Sequence, residues 1–390
     1  MKKLIYIAYV EKNKSIGVIN KVNDQCHEFA NYYETILICL EESNIYIKNF
    51  NTMEERYIAN GIYNKNFKEN YLRKVFNRVN IIKFNSKIKT IILKEKPDII
   101  YIRKYEILNG IRMIRKMKKK NNTYIIHEIP TYPYYEEMKK NSNYLIYLLN
   151  KMLDKMLDKI SDLIPVILGK EVEFKCSKYL PVFNGINISN INVNKHTTKK
   201  DRIDLIGVAK IEFWHGYDRV IKGLKDYYDS RMDLNVYFHL VGDGPELTNL
   251  KKMVSQYKLE DYVIFHGTKT GQELNELIDM SHIGIGSLGM HRAGLTCGCT
   301  LKAREYCARG IPFIIGYTDN GFSDDFKYIL KVEPNESSLD INNVIEFYNS
   351  LKDEEYINQM RKYAEVNLTW KATMKPIIDS IQEYFNIKTL

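Results

Sequence analysis

Short apolar runs alternate along the chain with longer stretches in which apolar residues recur every three or four positions. In the first half the runs occupy residues 4–10, 35–40, 99–102 and 124–127. Runs of this length, bounded by turn residues such as Pro97-Asp98, predict buried strands, and the stretches between them predict packed helices. One helix is predicted over residues 143–160, where a repeated Lys-Met-Leu-Asp beginning at Lys151 and Lys155 keeps the helical spacing. The alternation stops at Phe183. From there to Arg202 the chain is polar and asparagine-rich, opens with Asn184-Gly185 and has no hydrophobic period, which predicts a linker. A second series then begins, with strands predicted at 203–209, 235–241, 263–266, 283–285 and 312–315. Helices are predicted between them at 217–228, 245–258, 272–280 and 301–308, and a last helix containing Trp370 covers 369–385.

Strand and helix alternating in this way specify parallel sheets flanked by helices. The expected fold is therefore α/β, with two Rossmann-like doubly wound domains facing a central cleft lined by strand carboxyl ends. The expected boundaries are residues 1–190 for the first domain, 191–368 for the second and 369–390 for a tail helix returning to the first.

Composition changes this picture little. Of 390 residues, 45% are hydrophobic and 27% charged, which excludes a disordered or collagen-like chain. No run approaches the roughly 18 apolar residues of a membrane-spanning helix. Met1-Lys2-Lys3 and the apolar run after it imitate a signal peptide, but Glu11-Lys12-Asn13-Lys14 follows with no small-residue cleavage site. Six unevenly spaced cysteines make no disulfide framework, so a cytoplasmic protein is expected.

Charge is more informative when split. Residues 1–190 hold 33 Lys and Arg against 20 Asp and Glu, a net of +13, whereas the remainder nets −3. Much of the excess lies between Lys65 and Lys96 and between Arg112 and Lys120, interleaved with aromatics such as Tyr71 and Phe76. Such a distribution suits a solvated helix face equally with a patch for an acidic polymer or an anionic membrane surface.

The densest chemistry lies in residues 283–315, where a strand leads into a loop holding Gly286, Gly289, Gly294 and Gly298, and then into a helix near Leu301. Gly310 suits a left-handed cap at the end of that helix, and Pro312 opens the next strand. A glycine-rich loop feeding a helix N-terminus presents backbone N–H groups and a positive dipole end to a diphosphate. Glu305, one turn inside, is placed to accept hydrogen bonds from a ribose.

Glu305-Tyr-Cys-Ala-Arg-Gly310-Ile-Pro312 resembles the Glu-x-x-x-x-Gly-x-Pro segment of retaining GT-B glycosyltransferases of the family 4 type. Gly207-Val-Ala-Lys210 through His215-Gly216, Val241-Gly-Asp-Gly-Pro245, Phe265-His-Gly267, Asn184-Gly-Ile186 and Trp370 resemble further segments of that family, in the same order. The resemblance implies transfer of a sugar from a nucleotide-sugar donor, expected to be a UDP-sugar. It implies as acceptor a surface glycan, a lipid-linked saccharide or a polypeptide, with no metal or other cofactor.

Residue by residue, the resemblance implies that Lys210 neutralises the leaving diphosphate and that His215 stands where a second Lys or Arg is usual. Glu305 would hold the ribose, Thr268 and Lys269 would border the base through the main chain, and the backbone of Gly294, Leu295 and Thr296 would meet diphosphate and sugar. Gly17, after the first strand, resembles the loop that approaches the diphosphate, and His127, expected at the end of its strand, would hydrogen-bond the donor sugar. The family often has a second glutamate eight positions before the first; here that position is Cys297, and Lys302 is a candidate replacement contact. Arg103 and Tyr105 are candidates to touch acceptor, set against an ordinary loop.

Other chemistries lack their residues. His291, Cys297 and Cys299 fit no common zinc spacing, and no Asp-x-Asp, Walker loop, nucleophile elbow or dinucleotide fingerprint is present. No motif for specific nucleic-acid recognition accompanies the basic half. A sugar-nucleotide epimerase of the same fold and a non-catalytic nucleotide-sugar-binding protein remain alternatives. Contact of the basic half with the inner face of a membrane is a further expectation.

Overall fold

A computed structural model describes residues 1–13, 16–42, 44–59, 71–105, 110–133, 144–174, 176–194, 201–230, 234–351 and 355–387. Lys65, expected to open a basic stretch, and residues 195–200 of the expected linker lie outside the described residues. Two compact units emerge. The first comprises residues 1–168, 172–183 and 373–390, and the second 169–171 and 184–372.

The first unit is built on eight strands: β1 (Lys3–Glu11), β2 (Glu34–Glu41), β3 (Asn44–Asn49), β4 (Glu55–Ile58), β5 (Ile99–Arg103), β6 (Tyr124–Tyr132), β7 (Ile164–Leu168) and β8 (Tyr179–Pro181). They are ordered β4-β3-β2-β1-β5-β6-β7-β8, with the β2–β3 and β3–β4 pairs antiparallel and the other pairs parallel. The helices are α1 (Ile16–Ala30), α2 (Tyr71–Glu95), α3 (Ile111–Asn121) and α4 (Tyr144–Ile160). Strand residues Ile5, Ile7, Ile36, Ile38 and Ile100 pack on Phe84, Ile88 and Ile92 of α2 and on Ile114 and Met117 of α3. Both faces of the central strands are covered, which is why they read as unbroken apolar runs.

The second unit carries β9 (Arg202–Val208), β10 (Asn235–Val241), β11 (Val263–Gly267), β12 (Ile283–Ile285), β13 (Phe313–Ile315) and β14 (Ile329–Lys331). All its pairings are parallel, in the order β11-β10-β9-β12-β13-β14. Its helices are α5 (Tyr217–Asp229), α6 (Leu247–Tyr257), α7 (Gly271–Asp279), α8 (Leu301–Arg309), α9 (Ile341–Ser350) and α10 (Glu355–Asn367). Alternation along each strand divides the core. Leu205, Phe238 and Ile283 meet Val220, Ile221 and Leu224 of α5 on one face, while Ile206, Phe313 and Ile315 meet Ala303, Tyr306 and Cys307 of α8 on the other.

The break between units falls at Phe183-Asn184 rather than at residue 190, because the asparagines are not slack linker. The Asn184 amide donates to Cys299 Sγ at 2.8 Å and the Ile186 amide to Leu368 O at 2.9 Å. Thr369 bridges Ile186, which keeps the start of the last helix, α11 (Trp370–Ile387), with the second unit. From Thr373 onward α11 belongs to the first, where Tyr384 lies 4.4 Å from the Tyr124 ring and Lys2 sits 4.1 Å over Phe385. Among the described residues no helix is long and apolar enough to cross a membrane.

Candidate functional site

In the second unit β9, β10 and β11 end side by side, and the loops leaving them enclose a cavity of about 510 Å³ lined by Lys210, Gly242, Asp243, Gly244, Thr268 and Lys269. Glycine at 242 is obligatory: its φ is +132°, and a Cβ there would stand 1.8 Å from Ala209 O. Lys210 is 78% exposed with Nζ 2.9 Å from Glu212 Oε1, and Lys269 pairs with Glu273 at 2.6 Å. The rim thus carries two solvated cations, and Thr268 is exposed beside them.

His215 is different in kind. It ends the 3-10 turn Phe213–His215, is buried, and accepts the Glu212 amide on Nδ1 at 3.0 Å, while its ring stacks on Tyr217. Burial, reinforced by the nearby Lys302 cation, pushes its pKa down to about 3. With Nδ1 accepting, the neutral ring keeps its proton on Nε2, so His215 donates a hydrogen bond without charge near neutral pH. Lys302 lies in the first turn of α8, 3.4 Å from the Tyr217 hydroxyl, and desolvation pushes its pKa down to about 7.

The glycine-rich loop departs from expectation. Gly294 adopts φ +75°, but its amide donates to His291 O at 2.8 Å and that of Leu295 to Met290 O at 3.1 Å. The amides of Thr296 and Cys297 both donate to Gly169 O, at 2.9 and 3.0 Å. The expected diphosphate cradle is therefore closed in this structure, two of its donors spent on its own turn and two on holding Gly169 of a short upstream segment. The donors left over in this region are those of the first turn of α8, which has no intrahelical acceptors for them. Thr300 caps that turn by accepting the Ala303 amide.

Glu305 stands one turn inside α8, its side chain 39% exposed. Oε1 accepts Nε and Nη2 of Arg309 at 3.0 and 2.8 Å, leaving Oε2 without a partner among the described residues. The helix is held firmly: Arg304, fully buried, grips Asp319 through both terminal nitrogens, and Gly310 caps the end at φ +77°. Cys297 is 2% exposed, and burial raises its thiol pKa.

In the first unit His127 is not at a strand end but fourth in the nine-residue β6. Its side chain is wholly buried. Nδ1 lies 3.1 Å from Asp158 Oδ1, Asp158 in turn accepts the Tyr179 hydroxyl at 3.2 Å, and Nε2 has no hydrogen-bond partner among the described residues. An ordinary core histidine is satisfied at both nitrogens; this one is oriented through one and open at the other. Gly17 lies in the first turn of α1 rather than in a loop, exposed and with no protein atom near its Cβ direction. Arg103 ends β5, and Tyr105 donates to Asn85 Oδ1 at 2.7 Å.

Residues 189–365 match the family described as glycosyl transferases group 1. The match falls within the second unit, residues 184–372. Solved structures extend the likeness to the whole chain. Starch synthase IV from Arabidopsis thaliana, bound to ADP and acarbose, superposes with a TM-score of 0.69 at 11% identity, covering 98% of this chain and 99% of that one. Sucrose-phosphate synthase from Thermosynechococcus elongatus gives 0.66 at 13%, covering 99% and 100%. The Anabaena protein HepE in complex with UDP gives 0.63 at 10%, covering 98% and 100%. The fold is GT-B. Among curated protein sequences none matches the chain.

Two polar clusters escaped the sequence reading. In the second domain, buried Asp204 accepts His239 Nε2 at 2.9 Å and Arg202 Nε at 2.8 Å, and His239 Nδ1 lies 2.9 Å from His266 Nε2, next to the loop of Thr268. Burial opposes its charge, yet His239 and Arg202 hold the carboxyl below its usual range. In the first domain Glu128, 1% exposed, takes Lys21 Nζ at 3.0 Å and Arg103 Nη1 at 2.6 Å on Oε1, with the Tyr101 hydroxyl at 2.6 Å on Oε2. Burial opposes ionisation here too, but the two cations bring its pKa to about 2. The available signal was a lone carboxylate in an otherwise apolar strand. His291 bonds Glu336 at 2.7 Å, and among the described residues no three such side chains gather to hold a metal ion.

Proposed function

We propose that the protein is a retaining, metal-independent glycosyltransferase that moves a hexosyl-type group from a UDP-sugar to a surface-glycan, lipid-linked or polypeptide acceptor. The observation that carries this reading is the glycine-floored, cation-rimmed cavity at the carboxyl ends of β9, β10 and β11, the edge of an open α/β sheet at which ligands bind. Uridine is favoured because HepE was solved with UDP, although starch synthase IV holds ADP.

In this reading the base lies along Thr268 and Lys269, and Oε2 of Glu305 accepts a ribose hydroxyl. The first turn of α8 receives the diphosphate, with Lys302, Lys210 and the neutral N–H of His215 offsetting the charge that develops as it leaves. Nε2 of His127 hydrogen-bonds a sugar hydroxyl and fixes its orientation, with Asp158 holding the ring. The closed amides of Thr296 and Cys297 would open towards ligand only by releasing Gly169, and those of Gly294 and Leu295 only by releasing His291 and Met290. The net +13 of the first half suits an anionic or membrane-borne acceptor, with the protein at the cytoplasmic face.

Buried Cys297 in place of a second glutamate favours one rival, a nucleotide-sugar-binding protein without turnover. The test is incubation with UDP-glucose and a panel of saccharide and lipid-linked acceptors, following UDP release and donor identity. Release that depends on acceptor, with an α-linked product, supports the transferase. Donor that binds and persists supports the rival, and epimerised donor without acceptor points to an epimerase.

A further inference from the structure

The sheet of the first domain has its topological switch point between β1 and β5, since β2 continues on one side of β1 and β5 on the other. Ligands of open α/β sheets bind outside the carboxyl ends of strands at such a point. Beneath this one lie Tyr6 and Tyr101, register partners on β1 and β5 with rings stacked at 4.5 Å. At the end of β5 stands Arg103.

Its bonding is lopsided. Oε2 of Glu128 is filled by the hydroxyls of Tyr101 and Tyr6, at 2.6 and 3.3 Å, and by Gln25 Nε2 at 3.2 Å. Only Oε1 is left for Arg103, and it is shared with Lys21. A guanidinium engages a carboxylate best through two parallel N–H bonds, and Glu128 has no second oxygen to give. The contact from Arg103 Nη1, together with a side-chain hydrogen bond to Tyr6, fixes the plane of the group without forming the paired bonds of a carboxylate fork. Within this ionic cluster the Arg103 side chain is the most exposed at 12%, against 7% for Lys21 and 1% for Glu128. A braced guanidinium whose paired N–H bonds are not taken by a carboxylate, at a ligand crevice, suits a planar oxyanion.

We propose that Arg103, positioned by Glu128, binds a phosphate or carboxylate carried by the acceptor. The inference rests on the transferase reading for the word acceptor, but its test needs no turnover. Methyl phosphate and methyl glucuronide are titrated into the full chain, followed by ligand NMR, in a Lys210→Ala background that removes the most solvated cation on the rim of the second-domain cavity. The same titration is made with Arg103→Lys, which keeps a charge for Glu128 but loses the fork, and with Arg103→Met. Thermal melts establish that each variant folds.

One of the two anions is expected to bind, with affinity about tenfold weaker in folded Arg103→Lys. Preference for methyl phosphate would assign a phosphorylated acceptor, and preference for methyl glucuronide an acidic sugar. Equal affinity in Arg103→Lys, or no binding of either anion to the parent, overturns the proposal. Binding lost at Arg103 together with absent transfer would sink the transferase reading and leave the anion site standing. Transfer that proceeds with no anion bound would do the reverse.

Discussion

Two charged sites, one in each domain, are held in opposite ways. In the first, the carboxylate of Glu128 is 1% exposed and bonded to Lys21, Arg103, Gln25, Tyr6 and Tyr101, so its geometry is set when the domain folds. In the second, Lys210 is 78% exposed and answers to a single carboxylate at the mouth of an open cavity. A buried network costs heavily when one member is removed, because the others remain desolvated. An exposed pair contributes little to folding and shows its worth only when a charged ligand arrives. The Glu128 cluster is therefore set in place by folding, whereas the rim at Lys210 is free to rearrange.

The sharpest break is a matched pair of variants. Glu128→Ala strands Lys21 and Arg103 and is expected to lower stability by about 3–5 kcal/mol in urea unfolding. Lys210→Ala should leave the unfolding midpoint unchanged and weaken only nucleotide binding. Similar stability losses in the two would erase the contrast. Next, Glu305→Ala should remove about 1–3 kcal/mol of nucleotide affinity by calorimetry without unfolding the domain; unaltered affinity would remove Glu305 from the ribose.

Acid should separate the domains as well. Glu128 ionises at about 2 in the folded chain and at about 4.3 when unfolded. Its contribution is full above the unfolded value and is lost as pH falls towards 2. His215 titrates at about 3 when folded and about 6.5 when unfolded. Below 6.5 the unfolded state takes up a proton that the folded state refuses, so this stability drains as pH falls from 6.5 towards 3. Both tryptophans, Trp214 and Trp370, lie in the second unit, so their fluorescence reports on it. Their transition is expected to begin at higher pH than loss of the tyrosine near-ultraviolet signal, which is rich in first-domain residues; the opposite order would contradict the assignment. The smallest effects concern the sugar. His127→Ala should lower turnover with nucleotide affinity unchanged, and Cys297→Glu should shift donor preference if position 297 faces the sugar.

Much of the fold was legible because the central strands are buried on both faces and stand out as apolar runs, as in residues 4–10 and 235–241. The hairpin of β3 and β4 was not, since an exposed antiparallel edge carrying Glu55 and Arg56 mixes polar and apolar positions. Of the site, single residues were readable and their partners were not. His127 stood out in its strand, yet Asp158 lies on another element and Tyr179 on a third. Glu128, beside it, draws its partners from β1, α1 and β5. The glycines around Gly294 promised free amides, but only the tertiary fold reveals that Gly169 has taken those of Thr296 and Cys297.

The central claim is that the cavity rimmed by Lys210, Thr268 and Lys269 receives a nucleoside diphosphate. Thermal unfolding of the full chain, recorded with UDP, ADP, GDP and their sugar conjugates, each with and without chelator, tests it most directly. Selective stabilisation by one diphosphate and its sugar, with UDP expected, unaffected by chelator and diminished in Lys210→Ala, is the predicted result. No shift with any nucleotide would contradict it.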